Sequence, residues 1–443
     1  MSWMSRQGAT LFIRRKGMVK VAGKCHFFYK VPFFCEIMRN FGVSNLCGRW
    51  PMVCPLIMKK YLVTGGAGFI GANFVKYLLE AYGGDVEVVV LDKLTYAGHV
   101  ESLSAELGRE NVRLVVGDVN DGPLVEGIME DFDPDYVVNF AAESHVDRSI
   151  DGPRPFLETN IMGAQTLLEA ARCCWQLPEG GFRQGKRFLQ ISTDEVYGSL
   201  TRDSGEPRKL HLDGPLETVV AGRHGLKAFG PGFFTEETPL HPHSPYSASK
   251  ASADMMASAY FDTYGMPVCV TRCSNNYGPY QFPEKLIPLA IRHIIKGEKI
   301  PVYARGENVR DWLFVADHCR AIDLVLREGE DGQAYNIGGF NEQQNIDVVR
   351  LLIDTVRRLA ESEPRYRHML SIEPEKVDYS LIEFVADRPG HDMRYAIDPS
   401  KIAGRLGWYP ATSFEDGIEA TVRWCLDNAD WAEAVTEGAG GYL

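Results

Sequence analysis

Four glycines in seven residues, Gly65-Gly66-Ala67-Gly68-Phe69-Ile70-Gly71, constrain this chain more than any other feature. Tyr61-Leu62-Val63-Thr64 reads as a short buried strand before them, and the apolar periodicity from Phe74 to Tyr82 predicts a helix after them. Gly66, Gly68 and Gly71 fit a G-x-G-x-x-G spacing; Gly65, Gly68 and Gly71 fit its longer relative. Such glycines permit a tight turn, let the backbone approach a pyrophosphate, and allow helix and sheet to pack closely. The anion then rests on unpaired N–H groups at the helix N-terminus.

The next strand, Val86 to Leu91, ends in Asp92, twenty-one positions after Gly71. A carboxylate there can accept both ribose hydroxyls and repel a 2′-phosphate, which favours NAD over NADP. Val112 to Val116 ends in Gly117-Asp118-Val119, and Tyr136 to Phe140 ends in Ala141-Ala142-Glu143-Ser144-His145. Phe188 to Ile191 ends in Ser192-Thr193-Asp194-Glu195, and helical stretches such as Asn160 to Trp175 separate the strands. The expected fold is therefore α/β, a Rossmann-like doubly wound parallel sheet with ligands beyond the strand C-termini. Residues 58–275 read as this NAD-binding domain, with an insertion over 199–234. Residues 276–443 read as a smaller, mostly helical substrate domain, with amphipathic helices near Leu286–Lys296 and Asp347–Ala360.

Charge and composition narrow the function. Residues 1–57 hold nine Lys or Arg against one acid, Glu36, a balance of +8, leaving 38 basic against 58 acidic side chains, a balance of −20. A body that acidic is a poor nucleic-acid binder and keeps any phosphate contacts in a local site. No run of eighteen apolar residues occurs, so no membrane partner is expected. The basic leader lacks sustained strand or helix alternation, a long apolar stretch and a small-residue cleavage site. It reads as upstream sequence translated from a misplaced start, outside the fold, with an organelle transit sequence as the alternative. None of the ten cysteines forms a C-x-x-C pair, so neither a metal site nor a disulfide framework is expected. Reduced thiols of a cytoplasmic protein are the expectation.

The chemistry falls on two clusters. Tyr246-Ser247-Ala248-Ser249-Lys250 follows Pro245 and opens a helix running to about Tyr264, with phenol and ammonium on one face. A tyrosine pKa near ~10 is too high for a base at neutral pH. A nearby Lys and a positive nicotinamide ring both favour the phenolate and are expected to lower it. Thr193, Asp194 and Glu195 end a strand where substrate meets nicotinamide. Adjacent carboxylates repel, so one can hold a proton while its neighbour is ionised, providing an acid and a base.

The Thr64–Gly71 run, the segment Ser192-Thr193-Asp194-Glu195-Val196-Tyr197-Gly198 and the Tyr246/Lys250 pair resemble extended short-chain dehydrogenase/reductases acting on nucleotide sugars. The segments 141–149, 301–303, 308–312 and 387–392 narrow the resemblance to the dTDP-glucose 4,6-dehydratases, from Met58 to about Trp424. It implies that Tyr246 takes the proton of the sugar 4-hydroxyl while Thr193 hydrogen-bonds that oxygen. Glu195 would remove the carbon 5 proton, and protonated Asp194 would donate to the departing carbon 6 hydroxyl. Hydride would pass from carbon 4 to NAD and return to carbon 6, giving dTDP-4-keto-6-deoxyglucose. Implied cofactor contacts are Gly65, Gly68, Phe69, Ile70, Gly71, Asp92, Lys93, Leu94, Thr95, Asp118, Val119, Ala141, Ala142, Glu143, Ser144, Thr159, Tyr246, Lys250 and Asn276. Implied substrate contacts are His145, Thr193, Asn275, Lys285, Leu286, Pro301, Val302, Tyr303, Arg310, Asn345, Asp387, Arg388, Pro389, Gly390 and His391. A guanidinium fork at Arg310 suits a diphosphate, although a salt bridge to Asp311 or another acid would suit it too. A homodimer and a place in dTDP-rhamnose biosynthesis are further implications.

Three departures stand out. The 199–234 insertion carries Arg202, Arg208 and Arg223 and is expected to form a surface flap. Ala304 stands where the family usually has glycine, and Met393 where it often has arginine. An epimerase or decarboxylase on the same fold shares the glycine loop, Tyr246 and Lys250. UDP-glucose stays open as a substrate, because the residues that recognise the base are weakly legible.

Overall fold

The computed structural model describes residues 5–6, 9–14, 18–22, 58–201, 208–209, 227–230, 232–387 and 391–438. The chain divides into two compact units, Met1–Ile57 and Met58–Leu443. In the first, Ser5–Arg6, Ala9–Arg14 and Met18–Ala22 form an antiparallel three-stranded sheet. This departs from the expectation of a leader without strand order. The β-branched and aromatic residues in Thr10-Leu11-Phe12-Ile13 and Val19-Lys20-Val21 account for it.

In the second unit, seven strands build one parallel sheet: β1 Lys59–Thr64, β2 Val86–Asp92, β3 Val112–Val116, β4 Tyr136–Asn139, β5 Arg187–Thr193, β6 Val268–Cys273 and β7 Ala334–Ile337. Their order is β7-β6-β5-β4-β1-β2-β3, every neighbouring pair parallel. Leu62 faces Val89 on one side and Val137 on the other, all three buried, as a central parallel strand requires. The expected Rossmann-like α/β architecture is thus the observed one. The chain reverses direction across the sheet between β1 and β4, so a crevice opens at the C-terminal strand ends there.

Helices α1 Phe69–Tyr82, α2 Gly122–Phe132, α3 Ala164–Trp175 and α4 Pro245–Tyr264 follow their strands in the order read from the sequence. Apolar residues of α1 pack on one sheet face, including Phe74, Val75 and Leu78; those of α2 and α3 pack on the other, including Ile128, Leu167 and Trp175. Beyond β6 come α5 Leu286–Lys296, α6 Val315–Glu328, α7 Asn345–Ser362 and α8 Phe414–Asp427. Ile287, Ile291, Leu352, Val356 and Ile418 of α5, α7 and α8 share a separate apolar core. Helix α6 instead gives Cys319, Ile322 and Val325 to the core against α1, and β7 joins the first sheet. The chain after residue 276 therefore both builds its own core and completes the NAD-side sheet. Most of the 199–234 insertion lies outside the described residues, as does the flap expected of it.

Candidate active site

Gly65 sits in the left-handed region at φ 66°, and a Cβ there would lie 2.6 Å from the Ala141 backbone nitrogen. A Cβ on Gly71 would run into the Gly65 carbonyl oxygen. Both positions demand glycine, because helix α1 is pressed directly against the turn and the end of β4. The α1 N-cap, Gly68, supplies no side chain to the first turn, which leaves N–H groups pointing outward for an anion.

These N–H groups face a cavity of about 340 Å³ at the strand C-termini. Every cofactor residue implied above lines it except Leu94. Leu94 has a left-handed backbone at φ 55° and turns its side chain into the core beneath β1 and β2. Its backbone still serves the site, since Leu94 N donates to Asp92 Oδ1 at 2.8 Å. Asp92 Oδ2 accepts from Ala67 N at 2.9 Å, which ties the glycine turn to the end of β2. Burial pushes the Asp92 carboxyl up while these two N–H groups hold it down.

The catalytic candidates line the same cavity. Ser244 caps α4 in a reciprocal capping box with Ser247, and Pro245 opens the helix. This sets Tyr246 and Lys250 one turn apart, both buried. Lys250 Nζ donates to Ile191 O at 2.6 Å, pinning α4 to β5 just before Thr193. Asp194 to Tyr197 form a single 3₁₀ turn whose N-cap, Thr193, accepts from Glu195 N at 3.3 Å. Thr193 Oγ1 also donates to Asp194 Oδ1 at 3.3 Å, whereas Asp194 Oδ2 is buried with no hydrogen-bond partner.

Burial, then the charges of Glu195 and Asp311, hold the Asp194 carboxyl well above the usual carboxylate range, the direction a general acid needs. Tyr246 departs from expectation. Burial, then Glu195, pushes its phenol up rather than down. Cys273, Asp194 and Tyr96 act in the same direction, while Lys250, lowered by burial, is turned toward Ile191 O.

A π-helical segment, Leu157–Gly163, widens the chain just ahead of α3. It brings Thr159 to the cavity and buries Asn160. Asn160 accepts from Glu143 N at 2.9 Å and donates to Glu143 O at 3.0 Å and Ser249 Oγ at 2.8 Å.

The implied substrate residues divide. Thr193, Asn275 and Lys285 line the cavity, with Asn275 Oδ1 buried and unpartnered. His145 stands behind the wall, 3.5 Å from Glu284, a cavity-lining carboxylate that the sequence reading missed. Leu286 turns into the C-terminal core. Pro301, Val302 and Tyr303 lie on strand Ile300–Tyr303, paired in parallel with Ile382–Val385 and away from the cavity lining. His391 stacks edge-on with Tyr303 at 5.9 Å and holds Asp387 at 2.7 Å, so this group forms a second polar cluster. Asn345 opens α7 with a buried, unpartnered Oδ1. Arg388, Pro389 and Gly390 lie outside the described residues. Arg310 is buried, with its guanidinium 4.2 Å from the Tyr395 ring centroid; Asp311 spends its oxygens on Gly339 N and Asn341 N.

The family model for GDP-mannose 4,6 dehydratase matches residues 62–209 and 227–421. The dTDP-glucose 4,6-dehydratase of Xanthomonas campestris pv. campestris strain B100 is 48% identical over 385 residues, 86% of this chain and 97% of its own. The chain belongs to the dTDP-glucose 4,6-dehydratase family. Another member, dTDP-glucose 4,6-dehydratase 1 of Escherichia coli K12, is 46% identical over 380 residues, 86% of this chain and 96% of its own. DesIV, a dTDP-glucose 4,6-dehydratase from Streptomyces venezuelae solved with NAD and TYD bound, superposes with a TM-score of 0.70. It is 42% identical, covering 85% of this chain and 99% of its own. Among the described residues, no His, Cys, Asp and Glu cluster could hold a metal, no helix could cross a membrane, and the six cysteines are free thiols.

Proposed function

We propose that the protein converts dTDP-glucose to dTDP-4-keto-6-deoxyglucose and water, using NAD that is regenerated in each cycle. The observation that carries this reading is that Tyr246, Thr193, Asp194 and Glu195 line one cavity with the glycine turn and Asp92. The residues fit NAD: an uncapped helix N-terminus for its diphosphate, Asp92 for its ribose, and a close backbone approach at Gly65 and Gly71.

When bound, NAD supplies reversible oxidation, taking hydride from carbon 4 and giving it back at carbon 6. Tyr246 removes the 4-hydroxyl proton, with Thr193 holding that oxygen in line. The resulting ketone acidifies carbon 5, and Glu195 takes its proton, returning one to carbon 5 as hydride reaches carbon 6. Asp194, kept protonated by burial and its acidic neighbours, gives a proton to the carbon 6 hydroxyl, which leaves as water. Water loss is what separates this reading from 4-epimerisation, which has no use for a second, protonated carboxyl.

We assign residues 58–275 to NAD binding and 276–443 to the nucleotide sugar, with Arg310 toward its diphosphate and the Tyr303–His391 cluster toward its distal parts. On the family resemblance we also place the protein in the cytoplasm, as a homodimer serving dTDP-rhamnose synthesis. Incubation with dTDP-glucose, with UDP-glucose in parallel, tests the reading through the alkali-absorbing keto-sugar. Faster turnover of UDP-glucose would overturn the nucleotide assignment.

A further inference from the structure

Gln281, Phe282, Glu284 and Lys285 line the cavity on a segment that lies far from the glycine turn in sequence. Helix α9, Ala429–Gly438, packs on Phe282 through Trp431 and Val435. The chain turns between α8 and α9, so Trp431 comes back to within 5.1 Å of Trp424, centroid to centroid. Tyr280 meets both rings, at 4.6 Å from Trp424 and 5.6 Å from Trp431. Its backbone is left-handed at φ 66°, a conformation that a bulky residue keeps only where its surroundings fix it. Helix α1 adds two ties to the same segment. Lys76 Nζ sits 4.6 Å over the Tyr280 ring, and Asn73 Nδ2 donates to Pro279 O at 2.9 Å.

Phe282 carries this packing to the ribose side of the site. Phe282 and Val435 are both buried. The Phe282 ring lies parallel to His99 at 5.4 Å and edge-on to Tyr96 at 5.9 Å. His99 N in turn donates to Ala67 O at 3.0 Å, and a Cβ on Gly98 would lie 2.6 Å from Asp92 Oδ1. Residues 95–99 therefore join Phe282 to the two elements that suit the cofactor, the glycine turn and Asp92. Opening this wall exposes Phe282, Val435 and Trp431 to water, which opposes it. The sugar must enter and leave in every cycle. NAD, regenerated in place, has no such need.

We infer that helix α9 is a latch on the cofactor: Trp431 and Val435 hold Phe282 against Tyr96 and His99, and so set how fast NAD leaves. This rests on the NAD assignment above. Trp431 and Val435 are positioning residues, since neither lines the cavity. Without their contact the Phe282 side chain gains rotamers and residues 95–99 lose their backing. Binding must then order both, which weakens the hold on NAD. No step of the sugar chemistry passes through α9, so the reaction itself survives when NAD is supplied in excess.

The test is NAD release from the purified holoenzyme, followed by exchange against excess isotopically labelled NAD, with kcat measured separately at saturating NAD. The wild type is expected to keep its NAD through many turnovers. Val435→Ala and Trp431→Ala are each expected to release NAD about tenfold faster, with kcat at saturating NAD unchanged. Trp431→Phe keeps a ring on Phe282 and is expected to restore slow release. In a Phe282→Ala background, Trp431→Ala should add no further acceleration, because both act through one contact. A merely structural role would instead lower kcat at every NAD concentration. Val435→Ala, the smaller truncation, carries the test by itself if Trp431→Ala does not fold. Wild-type release rates in the alanine variants, a kcat loss that excess NAD does not restore, or additive accelerations overturn the latch. A wild type that makes no keto-sugar in excess NAD overturns the dehydratase reading instead, and the release rates still decide the latch.

Discussion

Lys250 Nζ lies 2.6 Å from the Ile191 carbonyl oxygen, so helix α4 is tied to the strand that delivers Thr193 two residues later. The tie sets where the Tyr246 phenol meets the acidic turn. Lys250→Met removes it. Turnover is expected to fall about 10²–10⁴-fold, measured as keto-sugar formation.

Glu195 and Asp194 are expected to fail at different steps. Glu195→Gln should keep the fold and NAD but lose proton exchange at carbon 5, read by mass spectrometry in D₂O. Unchanged exchange would remove Glu195 as the base. Asp194→Asn should slow water loss more than oxidation at carbon 4, so reduced cofactor accumulates at 340 nm (a fixed property of NADH). Equal slowing of both steps would contradict its role as the acid.

The pH profile should be a bell. Burial and acidic neighbours raise Tyr246, so its base form grows as pH rises and the rate climbs. Asp194 is raised as well, and its loss of a proton at higher pH takes the rate down again. In Asp194→Asn the residual rate should lack the falling limb, which a kcat/KM profile checks.

Buried Arg394 and Glu342 form a paired charge between the strands beneath the site, with Arg394 Nε 2.5 Å from Glu342 Oε1. Burial lifts Glu342 to about 7 even against Arg394. A carboxyl raised above its unfolded value adds stability that is complete below about 4.5 and is lost as pH rises through about 7. Thermal melts from pH 4.5 to 7 should therefore show a larger loss in the wild type than in Glu342→Gln. Arg394→Met strands the carboxylate and should cost about 3–5 kcal/mol in denaturant unfolding.

Asn160 joins the Glu143 backbone to Ser249, whose hydroxyl in turn donates to Tyr246 O at 2.7 Å. Asn160→Leu removes the partner of Glu143 N and Glu143 O, costing about 1–3 kcal/mol for each group. Weaker NAD retention is expected, measured by the cofactor released from purified protein.

The glycine turn, the polar strand ends and the Tyr246–Lys250 pair were legible because each is a local pattern: a spacing, a period, or one helical turn. Glu284 and Cys273 line the cavity but carry no local signal; the path of the chain beyond β5 brings them there. Leu94 shows the reverse, since a neighbour of cofactor residues in sequence was turned inward by its backbone. The His243–Asp392 contact spans 149 residues and joins segments with no shared periodicity. Nor could composition reveal that burial raises the Tyr246 phenol, because that depends on how completely the fold excludes water.

On the proposed function, one sugar is oxidised, dehydrated and reduced in a single cavity without leaving it. The most direct measurement uses dTDP-glucose carrying deuterium at carbon 4, followed by NMR or mass analysis of the product. Deuterium recovered in the carbon 6 methyl group is the expected result. Label retained at carbon 4, or lost to water, would rule out internal hydride transfer.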